Sequence, residues 1–186
     1  MKNLLENYVK DKLVAELNEI ENSERGKCSL PITKYERAII YKYTDDGFES
    51  LNESLREGRQ ISDFGNFLHY SLEKLPNYGG ICYRSIKSTD VSLNEYYNAL
   101  KTGGIICEKS FLSCSKSKLL ALYFSNSPLF IIKSKSGKDI EKIAKFGLYD
   151  MSGQNEKEIL FKHNSKFKVL DILEENGRIT ILMEEV

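Results

Sequence analysis

The sequence carries no excess of charge of either sign and no long apolar run. Its 186 residues contain 27 lysines and arginines against 27 aspartates and glutamates, so the formal net charge is +0. A protein without net charge has no overall field that would draw it to DNA, RNA or an anionic membrane surface. No apolar stretch approaches the roughly 18 residues that indicate a transmembrane helix. These absences disfavour nucleic-acid-binding and membrane-spanning proteins.

Metal-binding and common nucleotide-binding motifs are missing as well. The two histidines, His69 and His163, stand far apart, and none of the cysteines forms a C-x-x-C pair. A zinc site needs three or four converging ligands, so we expect no metal. No G-x-G-x-x-G, G-x-x-x-x-G-K-[ST] or G-x-S-x-G motif occurs, which removes the main support for Rossmann, P-loop and α/β-hydrolase folds. Cys82, Cys107 and Cys114 adjoin apolar residues, which indicates small buried side chains and leaves a disulfide open.

The first part of the chain has the periodicity of helices. Apolar residues over 1–20 recur every three or four positions, which predicts one amphipathic helix. Thr33 and Glu36 have the spacing of a capping box, which predicts the start of another helix. Helical patterns over 48–57 and 63–75 follow. Charged residues are spread through the first 20 positions without an apolar h-region, so we expect no signal peptide.

Near Asn77 the pattern changes from helices to strands. The strand-like runs cover residues 81–86, 105–107, 110–114, 129–133, 158–162, 166–172 and 178–183, with short helices over 93–100 and 116–123. Helices followed by strands, without regular alternation, are typical of the α+β class. We predict a single domain over 1–186, with a helical lobe over 1–77 and a strand-rich core over 78–186.

Three separated segments in the strand-rich part carry side chains that suit one chemistry. Arg84 lies inside a strand-like run, and its guanidinium suits a diphosphate. Ser113 and Ser115 alternate along a predicted strand and should share one face. Glu156 and Glu158 should likewise share a face at the start of another strand. Paired carboxylates at this spacing suit a reaction with an oxocarbenium-like transition state and an oriented nucleophile.

The order of these segments resembles the R-S-E class of mono-ADP-ribosyltransferases. The likeness is greatest to the bacterial exotoxin branch, whose members include the catalytic domains of binary actin-modifying toxins. It extends from about Thr33 to Val186 and includes the helical segments 41–44 and 50–56 and the segment 121–124. The resemblance implies a helical lobe followed by two roughly perpendicular β-sheets, with NAD in the cleft between them.

The resemblance also implies a role for each matching residue of the strand-rich part. Arg84 would hold the NAD diphosphate, with Ser85 beside it as a second cofactor contact. Ser113 would hydrogen-bond Glu158 and fix its position, and Ser115 would support the cleft. Glu158 would be the catalytic residue, stabilising the positive charge that develops on the ribose.

Further roles are implied for residues before and after this core. Tyr43 and Asn52 would contact the cofactor from the helical lobe, and Phe124 would pack near the nicotinamide. Tyr149 would contact the target protein. Glu156 would align an acceptor arginine, whose pKa above about 12 keeps it protonated in water. In the family a glutamate at this position suits arginine acceptors, whereas members with glutamine there modify other side chains.

The resemblance therefore implies an NAD-dependent, arginine-specific protein mono-ADP-ribosyltransferase that acts as a bacterial toxin or effector. NAD would be the co-substrate, with no metal, and actin is a target by analogy only. Two alternatives stay open: an NAD glycohydrolase of the same fold, and an inactive binding module that kept the fold. We expect the protein to be secreted or delivered by a route independent of a signal peptide, with a possible separate delivery or immunity partner, and otherwise to be cytoplasmic.

Overall fold

The structure is divided into two compact units. The computed structural model of the protein describes residues 1–86, 90–125 and 127–186, and of residues 90–92 and Phe124 it describes the backbone only. The first unit comprises residues 1–76 and 138–157, and the second comprises residues 77–137 and 158–186. The prediction of one domain over the whole chain stays a prediction.

Helices form most of the first unit. They are α1 (Lys2–Lys12), α2 (Val14–Asn22), α3 (Glu24–Lys27), α4 (Lys34–Lys42), a π-helix (Tyr43–Gly47), α5 (Phe48–Arg56) and α6 (Asp63–Glu73). The capping box at the start of α4 is confirmed, because Thr33 and Glu36 each bond the backbone N–H of the other. The Thr33 N–H donates to the Glu36 carboxylate at 2.7 Å, and the reciprocal bond is 3.4 Å long.

The single helix expected over residues 1–20 is wrong. The helix is interrupted at Leu13, whose φ of −128° and ψ of 42° are not helical. Leu5 and Val9 are buried on α1 and Ile20 is buried on α2. Both helices pack against α4. The break lets each short helix turn its own apolar face to α4, which the periodicity alone does not distinguish from one long helix.

The second unit contains most of the strands and two helices. The strands are β1 (Asn77–Tyr78), β2 (Ile81–Ser85), β3 (Ile105–Glu108), β4 (Leu112–Ser115), β5 (Leu129–Lys133), β6 (Gly137–Asp139), β7 (Glu158–Phe161), β8 (Ser165–Glu175) and β9 (Arg178–Glu185), and of β6 only Gly137 belongs to the second unit. The helices are α7 (Asp90–Thr102) and α8 (Lys118–Phe124). The predicted strands are confirmed, with ends shifted by a few residues. β1 and β6 are too short to give a pattern in the sequence.

Hydrogen bonds join the strands in the order β1-β6-β7-β4-β2-β5-β9-β8-β3. The α+β class is therefore confirmed. The resemblance implied two sheets, whereas the hydrogen bonds link the strands in one continuous order. Most neighbouring strands are antiparallel, and β5 pairs with β9 in parallel. This order places the segments that contain Arg84, Ser113 and Glu158 on three neighbouring strands.

One face of these strands builds the core of the second unit. Cys82, Cys114, Ile159 and Phe161 are among the buried residues that pack together there. A hydrogen bond with the neighbouring Cys114 thiol, together with burial, raises the pKa of Cys82, so it stays a protonated thiol. Cys107 is exposed on β3, which corrects the expectation that it is buried. All four cysteines are free thiols.

Two absences hold for the part of the chain that the structure describes. No helix there is both long enough and apolar enough to cross a bilayer. No group of three or more histidine, cysteine, aspartate or glutamate side chains is arranged to hold a metal ion.

Candidate active site

Three adjacent strands carry the arginine, the two serines and the second glutamate. β2 pairs with β4, where Tyr83 lies opposite Ser115. β4 pairs with β7, where Ser115 lies opposite Glu158. Side chains far apart in the sequence are thus brought onto neighbouring strands of one sheet.

Ser113 and Ser115 lie on the same face of β4, as strand alternation leads one to expect. Leu112 and Cys114, which alternate with them, belong to the core on the other face. Glu158 shares the face of Ser115, because residues directly opposite each other in an antiparallel pair point to the same side. This face therefore carries both hydroxyls and the carboxylate.

The strand register puts Ser115, rather than Ser113, directly opposite Glu158. Ser113 lies opposite Leu160, two residues further along β7, so it is the diagonal neighbour of Glu158. Directly opposed Cβ atoms are about 5 Å apart and diagonal ones about 7–8 Å, which a long side chain can span. Glu158 is buried, with 6% of its surface exposed. Both serines are thus positioned to reach a carboxylate that is largely withdrawn from water.

Ser115 also connects β4 to the next helix. Its hydroxyl oxygen accepts a hydrogen bond of 3.0 Å from the backbone N–H of Ser117. α8 begins at the following residue, Lys118, and packs against β2 and β4. The position of α8 is therefore tied to the same serine that faces Glu158.

Arg84 makes a hydrogen bond that was not predicted from the sequence. Its guanidinium Nη1 donates to the backbone carbonyl of Ser113 at 2.6 Å. In the register of β2 it shares the face of Cys82 rather than that of Glu158, and its side chain is half-buried. An arginine has five N–H donors, so a bond to the backbone of β4 is compatible with a second role toward an anion. In this structure Arg84 fixes the strand that carries the two serines.

A tyrosine near Arg84 was missed from the sequence. The ring of Tyr96, on α7, packs against Phe130 with the ring centroids 5.1 Å apart. Burial raises the pKa of Tyr96 to about 12, the carboxylates of Glu108 and Glu95 add to the rise, and the positive charge of Arg84 opposes it. The hydroxyl therefore stays protonated beside the guanidinium. A tyrosine in a predicted helix carries no motif, so no signal in the sequence pointed to it.

Two of the predicted cofactor contacts in this unit stay predictions. The Ser85 hydroxyl is buried and donates to the backbone carbonyl of Pro128 at 2.9 Å. This bond ties the end of β2 to the residue before β5, and the expected contact of Ser85 with NAD stays a prediction. The side chain of Phe124 lies outside the described residues, and its expected place near the nicotinamide stays a prediction.

Tyr43 and Asn52 lie in the first unit and bond each other. The Asn52 side-chain amide donates to the Tyr43 hydroxyl at 3.0 Å, and only 2% of Tyr43 and 8% of Asn52 are exposed. The bond joins the π-helix to α5 inside the helical unit. The two residues are thus brought together, as their shared role in the resemblance implies, and their contacts with the cofactor stay predictions.

Glu156 is not part of a strand, which corrects the idea that it shares a strand face with Glu158. β7 begins at Glu158, and Lys157 has a φ of 52°, so the alternation of an extended strand does not reach Glu156. The Glu156 N–H donates to the carbonyl of Phe146 at 2.9 Å. Burial raises the pKa of its carboxyl above the ordinary value.

The loop before Glu156 exposes apolar side chains other than the predicted Tyr149. Tyr149, the expected aromatic contact, is half-buried, whereas Leu148 is 50% and Met151 is 99% exposed. The Asp150 carboxylate accepts from the Gln154 N–H at 3.0 Å and from the Ser152 hydroxyl, and these bonds lower its pKa. The loop is thus held by internal bonds while its apolar side chains face solvent.

Comparison with known proteins gives one consistent picture. The family model described as ADP-ribosyltransferase exoenzyme matches residues 5–186 of the chain. The protein named NAD(+)--protein-arginine ADP-ribosyltransferase Tre1 of Serratia proteamaculans is 27% identical over 172 residues, which is 89% of this chain and 35% of Tre1. The protein of the same name in Pseudomonas putida is 25% identical over 187 residues, which is 97% of this chain and 35% of that protein. The chain thus spans about a third of the length of these curated relatives.

Solved structures share the fold. Exoenzyme S from Pseudomonas aeruginosa, solved in complex with human 14-3-3 protein beta and bound to carba-NAD, has a TM-score of 0.77 to this chain. The match covers 100% of this chain and 88% of the solved one, at 20% sequence identity. At that identity the likeness establishes the fold, and the chemistry must be argued from the residues.

Proposed function

The chain belongs to the ADP-ribosyltransferase exoenzyme family, and from this premise we propose that it transfers ADP-ribose from NAD to an arginine side chain of a protein. One observation carries the proposal most directly: Ser113, Ser115 and Glu158 share one face of two paired strands, and the Arg84 guanidinium of the neighbouring strand is bonded to the Ser113 backbone at 2.6 Å. The names of the two Tre1 relatives support arginine as the acceptor. We further propose that the protein acts as a toxin or effector on a target cell.

The first chemical step breaks the bond between nicotinamide and ribose, and positive charge develops on the ribose. A Glu158 carboxylate bonded to the ribose 2′-hydroxyl stabilises this charge more in the transition state than in the ground state. Because Glu158 is buried, water screens this interaction little. Single preorganised groups of this kind contribute about 3–4 kcal/mol, or about a hundredfold to a thousandfold in rate.

Arg84 and the two serines prepare this step. Guanidinium groups bind phosphate oxygens through paired N–H donors, and we assign Arg84, on β2, to binding the NAD diphosphate. Its bond to the Ser113 carbonyl holds β4 in place. Ser115 faces Glu158 directly and Ser113 diagonally, so either hydroxyl can orient the carboxylate toward the ribose.

Glu156 accepts a proton from the acceptor arginine. A guanidinium with a pKa above about 12 must lose a proton as the new bond to the ribose forms. The raised pKa of the Glu156 carboxyl makes it a better proton acceptor than an ordinary glutamate. We assign Tyr149, together with the exposed Leu148 and Met151, to contacts with the protein that bears the acceptor arginine.

The test uses two acceptors, agmatine as a small guanidine and the proteins of a cell lysate, each with biotin-labelled or radiolabelled NAD. We expect the wild-type protein to label both, and Glu158→Gln to lose at least a hundredfold in rate with both. Glu156→Gln should lose transfer while it keeps release of nicotinamide. Glu175→Gln, an exposed glutamate of β8, is the matched control and should behave as wild type.

Three results would contradict the proposal. Release of nicotinamide without any labelled acceptor would identify an NAD glycohydrolase instead. Absence of NAD binding by calorimetry would identify an inactive module. Full activity of Glu158→Gln would remove the role assigned to that carboxylate.

A further inference from the structure

The side chain of Asn155, the residue before Glu156, makes a hydrogen bond through each end of its amide. Its Nδ2 donates to the Glu141 carboxylate at 2.7 Å, and its Oδ1 accepts from the Lys157 N–H at 2.9 Å. An ionised carboxylate only accepts and a backbone N–H only donates, so the two partners determine which way the amide points. The Asn155 side chain therefore connects Glu141 to the residue after Glu156.

The bond to Lys157 acts on the turn that separates Glu156 from β7. The φ of Lys157 is 52°, in the left-handed region, which a residue with a side chain adopts at a cost in energy. Such a torsion persists where the surrounding structure holds it, and here the Asn155 side-chain oxygen holds the N–H of the same residue. The Glu156 N–H is bonded to the Phe146 carbonyl at 2.9 Å. The backbone is thus fixed on both sides of the Glu156 side chain.

Glu141, the partner of Asn155, has a fixed position of its own. Its backbone carbonyl accepts from the Leu148 N–H at 2.8 Å, and its backbone N–H donates to the Asp139 carboxylate at 3.1 Å. The Glu141 side chain is half-buried, so water competes less for it than for a fully exposed carboxylate. A hydrogen bond to an ionised acceptor is also stronger than one between neutral groups. Glu141 is therefore suited to hold the Asn155 amide in one orientation.

A buried arginine attaches the same segment to the helices of the first unit. Arg25, on α3, is 4% exposed. Its Nε and Nη2 donate to the carbonyls of Ala144 and Lys145 at 3.2 and 2.9 Å. The segment that leads to Glu156 is thus anchored near its beginning by Arg25 and at its end by Asn155.

The position of the Glu156 carboxyl matters for transfer to the acceptor and not for loss of nicotinamide. First the bond between the anomeric carbon of the ribose and nicotinamide breaks, and its electron pair leaves with nicotinamide. A nitrogen of the acceptor guanidinium then bonds to that carbon, and one proton passes from this nitrogen to the Glu156 carboxylate. When water reacts instead, its oxygen bonds to the carbon and its proton goes to solvent. Proton transfer needs a separation of about 2.6–3.2 Å, so a displaced carboxyl slows the reaction with the guanidinium.

From this geometry we propose that Asn155, held by Glu141, is a positioning residue that determines how the reaction divides between a guanidinium and water. The proposal rests on the function proposed above and deepens it. It adds a pair of residues that favours the guanidinium acceptor through the backbone of Glu156, without contact with NAD.

The experiment first changes one partner of the bond between Asn155 and Glu141. Asn155→Asp keeps the size of the side chain and an oxygen for the Lys157 N–H, but it sets a second carboxylate against Glu141. We expect transfer to agmatine to fall at least about tenfold, because small displacements of reacting groups have effects of this size or larger. Release of nicotinamide without agmatine should stay within about twofold of wild type. The ratio of ADP-ribosyl-agmatine to free ADP-ribose measures how the reaction divides.

The double variant Asn155→Asp/Glu141→Gln restores a donor and an acceptor with their places exchanged. The introduced amide can donate to the introduced carboxylate, which keeps an oxygen for the Lys157 N–H. Transfer to agmatine should return to within about threefold of wild type, a recovery that two independent losses would not give. Glu141→Gln alone completes the cycle and should lose less than Asn155→Asp, because it keeps an acceptor oxygen. Gln154→Ala, at an exposed neighbour in the same loop, is the matched control and should behave as wild type.

Thermal unfolding by circular dichroism verifies that each variant is folded, and three results from folded variants would overturn the proposal. A wild-type product ratio in Asn155→Asp would show that the bond does not position Glu156. An equal fall in transfer and in nicotinamide release would place Asn155 in the first step or in the fold. Lack of recovery in the double variant would contradict the pairing with Glu141. If the wild type releases nicotinamide but transfers nothing to agmatine, the proposed function fails first, and this inference fails with it.

Discussion

Removal of the Arg84 guanidinium should destabilise the protein and weaken NAD binding together. Arg84→Met keeps the stem of the side chain and deletes the donor that bonds the Ser113 carbonyl at 2.6 Å. A charge-assisted hydrogen bond contributes about 1.5–3 kcal/mol, and the low end applies because Arg84 is only half-buried. At roughly 2–4 °C per kcal/mol for a chain of this size, the melting temperature should fall by about 3–6 °C.

The same variant should raise the dissociation constant for NAD at least about tenfold, because a phosphate contact of about 1.4 kcal/mol or more is lost. Arg84→Lys keeps the charge but has a single ammonium in place of the paired N–H donors of the guanidinium, so it should recover part of the affinity for NAD. Arg178→Met, at an exposed arginine of β9, serves as the control. Differential scanning fluorimetry and isothermal calorimetry measure the two effects. An Arg84→Met protein with wild-type melting temperature and wild-type NAD affinity would refute both roles.

Two further predictions concern the half-buried Glu156 and the buried Glu185. Because burial raises the pKa of Glu156, transfer to agmatine should rise with pH through a pKa above the ordinary glutamate value, and Glu156→Gln should abolish that rise. A raised folded-state pKa also means that stability is lost as pH rises through it, so Glu156→Gln should gain stability relative to wild type as the pH rises above about 4 in urea titrations. Glu185 is buried and accepts from the backbone N–H groups of Lys135 and Ser136 at 2.6 and 2.7 Å. Glu185→Ala should therefore cost about 3 kcal/mol of unfolding free energy, whereas Glu184→Ala, which removes only a partly exposed ion pair, should cost under about 1 kcal/mol; equal losses would contradict the assignment.

Elements with a long periodic pattern or a local motif could be predicted from the sequence. The capping box at Thr33 depends only on residues three positions apart, and the structure contains it. The order of the strand-like runs also sufficed to identify the class of fold. By contrast, the interruption at Leu13 depends on how two helices pack against a third, which a periodic pattern does not contain.

In the candidate site, the residues that share a strand face could be predicted better than the residues that lie opposite each other. Ser113 and Ser115 share a face because alternation along a strand is local, but which of them lies opposite Glu158 depends on register between strands. The positive φ of Lys157 is a single backbone torsion that removes Glu156 from the strand, and no residue preference in the sequence indicated it. The exposure of Leu119 likewise depends on packing, because the sequence predicts a helix there but does not predict which side of it is buried.

A crystal structure of the protein with the NAD analogue carba-NAD would show whether Arg84 and Glu158 bind the same NAD molecule. We expect a diphosphate oxygen within about 3 Å of the Arg84 guanidinium and the nicotinamide-ribose 2′-hydroxyl within about 3 Å of the Glu158 carboxylate. Binding of the analogue at a place where it contacts neither Arg84 nor Glu158 would contradict it.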